Sequence, residues 1–347
     1  MTNGASPLVS IIIPTYNGGQ RLEETLANCL AIRELALEIL LIDDCSTDGT
    51  PQRIKQKFPS VHIQRLDHNS GSGSKGRNVG LAIATGRYVK FLDHDDLIQP
   101  RGLKAECHEA LRTDADIVMS RWGVASIDGS GRFEKATMRI FTPPEPSRLI
   151  DAILLGEATP YTSAALYKRS YICDERWDGS LALIDDFDWF ARMVIKGGTV
   201  MRTDSISYFW RLHSSSFQGR RHGAKTIFYD LTTTRCQIYG RLESLLENAH
   251  QLTEPRRKLL AKRYYEYLFC FARYEPSRAK ELLLRIYRLD PNFVVDQSCE
   301  PNARALWFIQ TFGLPRFLHS YGLLRRLGDK AIRTARRVRQ MLPARRT

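Results

Sequence analysis

The segment KFLDHDD, residues 90–96, runs from an apolar stretch into three carboxylates, Asp93, Asp95 and Asp96. Like charges this close repel unless something neutralises them. If extended geometry persists past Leu92, alternation puts Asp93 and Asp95 on one side. Two carboxylates at that spacing, with Asp96 unpaired, suit a hard divalent cation that keeps open positions for phosphate oxygens. The bland alternative is a solvated turn or a helix N-terminus, where aspartate is common.

Other polar groups follow apolar runs in the same way. Asp43 and Asp44 precede Ser46, Thr47, Asp48 and Gly49. A carboxylate there could accept a hydrogen bond from a nucleobase N–H, or simply cap the turn into a helix opened by Thr50-Pro51. Tyr16, in PTYN, could stack on a flat base or pack at a strand end. SGSGSKGRNVG, residues 70–80, reads as a flexible and then cationic loop, with Lys75 and Arg77 able to meet phosphate. It lacks the GxxxxGK[ST] spacing of a P-loop and does not fit GxGxxG.

The elements that must position these groups alternate. LVSIII (8–13), EILLID (38–43), VHIQRL (61–66), YVKFL (88–92) and DIVMSRW (116–122) read as strands, several of them buried on both faces. QRLEETLANCLAI (20–32) has Leu22, Leu26, Cys29 and Leu30 on one helical face. Helices are also expected from Thr50 to Phe58, over NVGLAIA (78–84), and from Pro100. This alternation implies βαβ units and a Rossmann-like, mostly parallel sheet flanked by helices, whose ligands bind at the carboxyl ends of the strands. PTYN, DDCSTDGT and DHDD all fall at such ends. Past residue 222 helical periodicity takes over, so the reading is an α/β domain over 1–220, a helical region over 221–315 and a basic tail over 316–347.

Composition narrows the class. Of the 347 residues 43% are hydrophobic, which suits a globular chain. No apolar run reaches the roughly 18 residues of a membrane span. MTNGASPLVS has no basic region followed by an apolar stretch, so a cytosolic start is expected. Seven scattered cysteines without a CxxC pair argue against a zinc knuckle or a disulfide framework. Ten Lys/Arg against one Asp from 316 onward account for +9 of the formal +13. Leu324, Leu327, Ala331, Ala335, Val338 and Leu342 recur there at helical spacing among arginines. A basic amphipathic helix of this kind suits an anionic membrane surface. Nucleic-acid binding and a helix packed on the fold are the other readings.

In combination the motifs resemble a known family. PTYN (14–17), DDCSTDGT (43–50), GRNVGLAIATGRYVKFLDHDD (76–96) and IDDFDWFAR (184–192) follow in the order seen in family 2 glycosyltransferases of the GT-A fold. The similarity covers roughly residues 8–215. It implies a metal-dependent inverting transfer from a nucleotide-diphosphate sugar, with Mn²⁺ or Mg²⁺ as cofactor. It implies donor-nucleotide contacts from Pro14, Thr15, Tyr16, Asp44, Arg77 and Asp93, and metal contacts from Asp95 and His213. Asp186 matches the family's catalytic base, and Asp185 replaces the usual glutamate on the acceptor side. The expected acceptor is a glycan or lipid-linked hydroxyl in cell-surface polysaccharide or glycolipid synthesis. The expected location is peripheral, on the inner face of the plasma membrane. No QxxRW motif follows, which argues for adding one or a few sugars rather than a long polymer.

Two other classes compete. A non-catalytic scaffold would keep the fold and dock through its basic tail, but intact Asp95 and Asp186 speak against decay. A nucleotidyltransferase would carry a glycine-rich, basic first strand–helix turn, which PTYNGGQR fits poorly.

Overall fold

The structure, a computed structural model, describes residues 7–126, 134, 137–157, 162–181, 184–213, 224–295, 309 and 314–316. The basic tail beyond Arg316 lies outside the described residues. The chain divides into two compact units, residues 1–222 and 223–347.

The first unit begins with β1 (Val9–Thr15), α1 (Gly19–Leu30), β2 (Leu37–Asp43), α2 (Thr50–Lys57), β3 (His62–Arg65), α3 (Gly73–Ile83) and β4 (Tyr88–Phe91). β1 is buried at every position because helices cover both faces of the sheet. Val9, Ile11 and Ile13 point into a core with Leu22 and Leu26 of α1. Ile12 points the other way, and a Cβ added at Gly80 of α3 would collide with its Cγ2. That glycine lets α3 lie close on β1, which places Arg77 at the sheet's carboxyl edge.

The unit continues through β5 (Leu97–Ile98), α4 (Pro100–Thr113), β6 (Ile117–Ala125), β7 (Arg139–Phe141), α5 (Leu149–Leu155), β8 (Ala165–Lys168), α6 (Arg169–Ile172), α7 (Asp185–Ile195) and β9 (Val200–Arg211). The sheet order is β3-β2-β1-β4-β8-β6-β9-β5, with β7 paired to β6. The half from β3 to β4 is parallel, as the alternation predicts. Beyond β4 the sheet is mixed: β8 runs antiparallel to β4 and β6, β5 to β9 and β7 to β6, while β9 is parallel to β6.

Lys90 is a charge inside buried β4. Burial alone would expel it. Its ammonium donates to Glu106 of α4 at 2.6 and 2.8 Å and to Ser207 Oγ at 3.3 Å. A fully buried ion pair of this kind is held by its extra hydrogen bonds, and Ser120 Oγ supplies another to Glu106 at 2.8 Å.

The second unit contains α8 (Ala224–Asn248), α9 (Glu254–Tyr274) and α10 (Pro276–Leu289). Glu243 of α8 is buried and accepts from Tyr264 Oη of α9 and from Arg285 and Arg288 of α10, at 2.7–2.9 Å. One carboxylate thus ties three helices.

Gly80→Ala weighs two effects of opposite sign. Helix propensity favours alanine by about 1 kcal/mol. Overpacking against Ile12 opposes it by about 1–3 kcal/mol. We expect the clash to win, lowering the urea midpoint of Trp177 and Trp189 fluorescence. A raised midpoint would mean that α3 has room to move away from β1.

Candidate active site

The 93–96 segment is not an extension of β4. The strand ends at Phe91, and the Asp96 N–H donates to the Asp93 carbonyl at 3.2 Å, closing a turn. This corrects the expectation that Asp93 and Asp95 share one face. They diverge, and each of the three carboxylates meets different partners.

Asp93, 46% exposed, accepts from Arg77 Nη2 at 2.7 Å. Asp95 Oδ2 lies 2.9 Å from His213 Nε2, and its carbonyl accepts from Arg211 Nε. Burial pushes the Asp95 carboxyl up, but the His94 charge and the His213 contact outweigh it and hold the group below the usual carboxylate range. Asp96 is the opposite of unpaired. It is buried and accepts from Tyr208 Oη at 2.6 Å and from the Arg211 N–H at 2.9 Å. Burial, then the Asp95 and Asp93 charges, push it well above the ordinary range. A carboxyl so placed holds a proton more readily than its neighbours, which relieves the repulsion that the sequence poses.

Arg211 is the residue that sequence reasoning missed. Its side chain is buried, donates to the Arg21 carbonyl at 3.0 Å and to Thr25 Oγ1 at 3.1 Å, and pairs with Glu24. It fastens the 93–96 turn to α1 and sets His213 two residues further on. The available signal was a lone arginine two positions before a histidine at the end of an apolar strand.

The stretch from 70 to 80 is not a flexible loop. Helix α3 starts at Gly73, with Ser72 as N-cap accepting from the Ser74 N–H at 3.2 Å. Lys75 Nζ lies 3.2 Å from His68 Nε2. Arg77 reaches in two directions. Besides Asp93, it donates Nη1 to Asp185 Oδ2 at 2.9 Å, and its guanidinium lies 4.5 Å from the Trp177 ring centroid. Burial opposes its charge, but Asp93 and Asp185 outweigh that and make it harder to deprotonate.

Trp177 stacks on Trp189 of α7 at 4.8 Å, and Phe91 of β4 meets both edge-on. Asn78 exchanges two hydrogen bonds with the Trp177 backbone, at 2.8 and 3.0 Å. Thus β4, α3 and the start of α7 share one aromatic floor.

Asp185 and Asp186 open α7. The residue before them, Ile184, is a β-branched side chain in the left-handed region at φ 51°. Such a conformation costs on the order of 1–3 kcal/mol and persists only where its surroundings impose it. Burial, then the Asp185 charge, push the Asp186 carboxyl up to about 6, although the Phe187 N–H and Arg77 pull the other way.

On the β2 side, Asp43 is buried, pairs with Arg65 at 3.1 Å and accepts from the Ser46 N–H. Asp44 accepts from the Ser70 N–H at 2.8 Å, Ser70 Oγ at 3.1 Å and the Gly71 N–H at 3.2 Å. Its own N–H donates to the Thr15 carbonyl at 2.8 Å. Pro14 is buried in β1 with Gly76 of α3 against it. Tyr16 projects from the strand end, 46% exposed. The N-cap of α2 is Gly49, with φ 75°, rather than Thr50, and Asp48 accepts from the Thr50 N–H at 2.9 Å.

The structure therefore brings Arg77, Asp93, Asp185 and Asp186 together, and sets Asp95 against His213 through the same 93–96 turn. Asp44 and Tyr16 sit at the ends of neighbouring strands β2 and β1. Among the described residues no group of three His, Cys, Asp or Glu side chains is disposed to hold a metal.

Residues 10–174 match the glycosyl transferase family 2 profile. The chain is 26% identical over 223 residues to the succinoglycan biosynthesis protein ExoO of Rhizobium meliloti, covering 60% of this chain and 62% of that protein. It is 35% identical over 128 residues to the poly(ribitol-phosphate) beta-N-acetylglucosaminyltransferase TarP of Staphylococcus aureus, covering 36% and 38%. The aligned stretch thus spans less than two thirds of either relative. The fold resembles S. aureus TarS residues 1–349, solved with UDP-GlcNAc, at a TM-score of 0.57 and 18% identity, covering 92% of each chain.

The raised Asp186 carboxyl makes a stability prediction. Its ordinary value is 3.8 and its folded value about 6, so the advantage of the protonated form is full below the ordinary value. It is lost as pH rises through about 6. In metal-free buffer, Asp186→Asn should raise the thermal midpoint at pH 8 by roughly 2–5 °C. The gain should shrink as pH falls and vanish below about pH 3. An Asn variant with no gain at pH 8 would remove the buried-charge account. Over residues 10–174 the chain matches glycosyl transferase family 2, and its fold is of the GT-A type.

Proposed function

We propose that the chain is an inverting glycosyltransferase that moves a sugar from a nucleotide-diphosphate sugar to a hydroxyl of a glycan or lipid-linked acceptor in cell-surface polysaccharide or glycolipid synthesis. The observation that carries this reading is the Arg77 bridge from Asp93 to Asp185, which sets the raised Asp186 carboxyl beside the turn at the end of β4.

In this reading Tyr16 stacks on the base, Asp44 accepts from a base N–H, and the backbone of Pro14 and Thr15 flanks the nucleoside. Asp93 and Arg77 orient the donor. Asp186 takes the proton of the acceptor hydroxyl as that oxygen bonds to the anomeric carbon. The bond from that carbon to the diphosphate oxygen breaks on the opposite face, and its electron pair leaves with the diphosphate. A base with a pKa of about 6 is ionised at neutral pH yet still basic enough to accept a proton.

Asp95 and His213 would hold the cation, Mn²⁺ or Mg²⁺. An ionised carboxylate with an imidazole suits such an ion, and two protein donors leave positions for phosphate oxygens. When bound, the ion neutralises charge on the departing diphosphate. Names of relatives in succinoglycan and poly(ribitol-phosphate) chemistry support a surface-polymer acceptor.

Among the described residues no helix is long and apolar enough to cross a membrane. We assign the basic tail, residues 316–347, to the anionic inner face of the plasma membrane. Its deletion should release the protein from phosphatidylserine vesicles at moderate salt, and unchanged partitioning would rule the assignment out.

The test of the transferase reading is a thermal-shift panel of UDP-, GDP-, dTDP- and CMP-linked sugars, with and without Mn²⁺. One nucleotide class should shift the midpoint in a metal-dependent way, and Asp95→Ala should abolish the metal dependence. With that donor, Asp186→Asn should still bind but lose transfer by at least about 10²-fold. No shift with any donor, or near-full turnover in Asp186→Asn, would sink the assignment.

A further inference from the structure

The stretch SGSGS, residues 70–74, places a serine at every second position, and each serine is engaged. Ser70 faces the end of β2. Its N–H donates to Asp44 Oδ1 at 2.8 Å, and its hydroxyl reaches Asp44 Oδ2 and the Ser72 carbonyl, both at 3.1 Å. The Ser72 N–H returns to Ser70 Oγ at 3.4 Å, and Ser72 Oγ caps the Ser74 N–H.

Ser74 faces the other way. It is 0% exposed, and its hydroxyl donates to Asp185 Oδ2 at 2.7 Å, across 111 positions of sequence. Ser74 lies in the first turn of α3, where no preceding turn offers a carbonyl to its hydroxyl. It reaches out of α3 to another element.

The glycines make the arrangement possible. Gly71 has φ +67°, which reverses the chain so that Ser70 and its own N–H face Asp44. A Cβ at Gly73 would stand 3.0 Å from Arg77 Nη1. The Ser74 hydroxyl and Arg77 Nη1 converge on the same oxygen of Asp185. Two donors on one oxygen fix the carboxylate plane. Among the described residues, no hydrogen bond reaches Asp185 Oδ1.

We propose that Ser74 is a positioning residue that sets Asp185 for the acceptor, and that Ser70 is its counterpart for Asp44 on the donor side. One five-residue stretch then adjusts both ends of the site. This rests on the transferase reading above.

The two roles predict opposite kinetic signatures. The assay is release of nucleoside diphosphate from the sugar nucleotide that the thermal-shift panel selects, at saturating Mn²⁺, with water as the acceptor hydroxyl. Ser74→Ala should lower kcat about tenfold and leave donor KM within about twofold, since a hydrogen bond to a charged group is lost where the acceptor docks. Ser74→Cys has nearly the same volume and a weaker donor, so it should fall between wild type and Ala. Ser70→Ala should act first on donor KM, raising it about fivefold. Thermal midpoints are recorded alongside.

The inference is overturned if Ser74→Ala and Ser74→Cys both keep wild-type kcat. It is also overturned if both serine variants change kcat and KM in parallel with a lowered midpoint, which is what a merely structural tie would do. Wild-type protein inert toward every donor would overturn the transferase reading and this inference with it. Active wild type with indifferent variants overturns this inference alone.

Discussion

The Arg77 side chain is the constraint on which the site depends. One guanidinium, lying over Trp177, holds a carboxylate from the end of β4 and another from the start of α7. A lysine could not do this, because a point charge cannot present two planar donors in fixed directions to two partners. The aspartates are 92 positions apart in sequence, as the residue numbers 93 and 185 show. What brings them within reach of one side chain is the seating of α3 on β1, where Gly80 permits close approach to Ile12, and the Asn78–Trp177 backbone lock one residue on. Packing at the back of α3 is therefore the cause of charge placement at its front.

The second constraint is the crowding of negative charge. Five carboxyls, Asp93, Asp95, Asp96, Asp185 and Asp186, share a small volume, and the structure treats them in three ways. Asp93 and Asp185 share one arginine. Asp95 is kept ionised, since the histidines outweigh its burial. Asp96 and Asp186 are pushed toward protonation, first by burial and then by neighbouring charge. On the proposed function the division is chemically useful: a metal ligand has to be charged, a strut toward Tyr208 and Arg211 does not, and a base has to change state near working pH.

Much of this was legible in the sequence, for a physical reason. Buried parallel strands have to be apolar on both faces, so β1, β2 and β4 declare themselves as continuous runs. Their polar ends then mark the ligand edge. Motif order supplied the family. Three of the features that did not read correctly show why. Gly and Ser at 70–74 have poor helix propensity, so the start of α3 looked like a loop; the Ser72 cap, the Asp185 partner and the seat on β1 override that propensity. Extended alternation misplaced Asp93 relative to Asp95, because the chain turns as soon as β4 ends. Arg211 showed in the sequence only as an arginine two positions before His213, since its partners lie on α1 and on the 93–96 turn.

Strain marks the same edge. Asn17, Cys45 and Ile184 all adopt the left-handed region, at φ 51°, 61° and 51°, immediately after β1, after β2 and before α7. Asparagine tolerates this conformation, and Asn17 is further held by the Thr47 N–H at 2.8 Å and by Ser46 Oγ. Isoleucine does not tolerate it. A free chain would relax Ile184 and swing the first turn of α7 away. Asp185 resists that motion through Ser74 and Arg77, and the Asp186 carbonyl resists it through Thr162 Oγ1 at 3.1 Å. The conformational cost at Ile184 is thus borne by the contacts that aim the carboxylates. Loosening any of them would move the proposed base before it unfolded the domain.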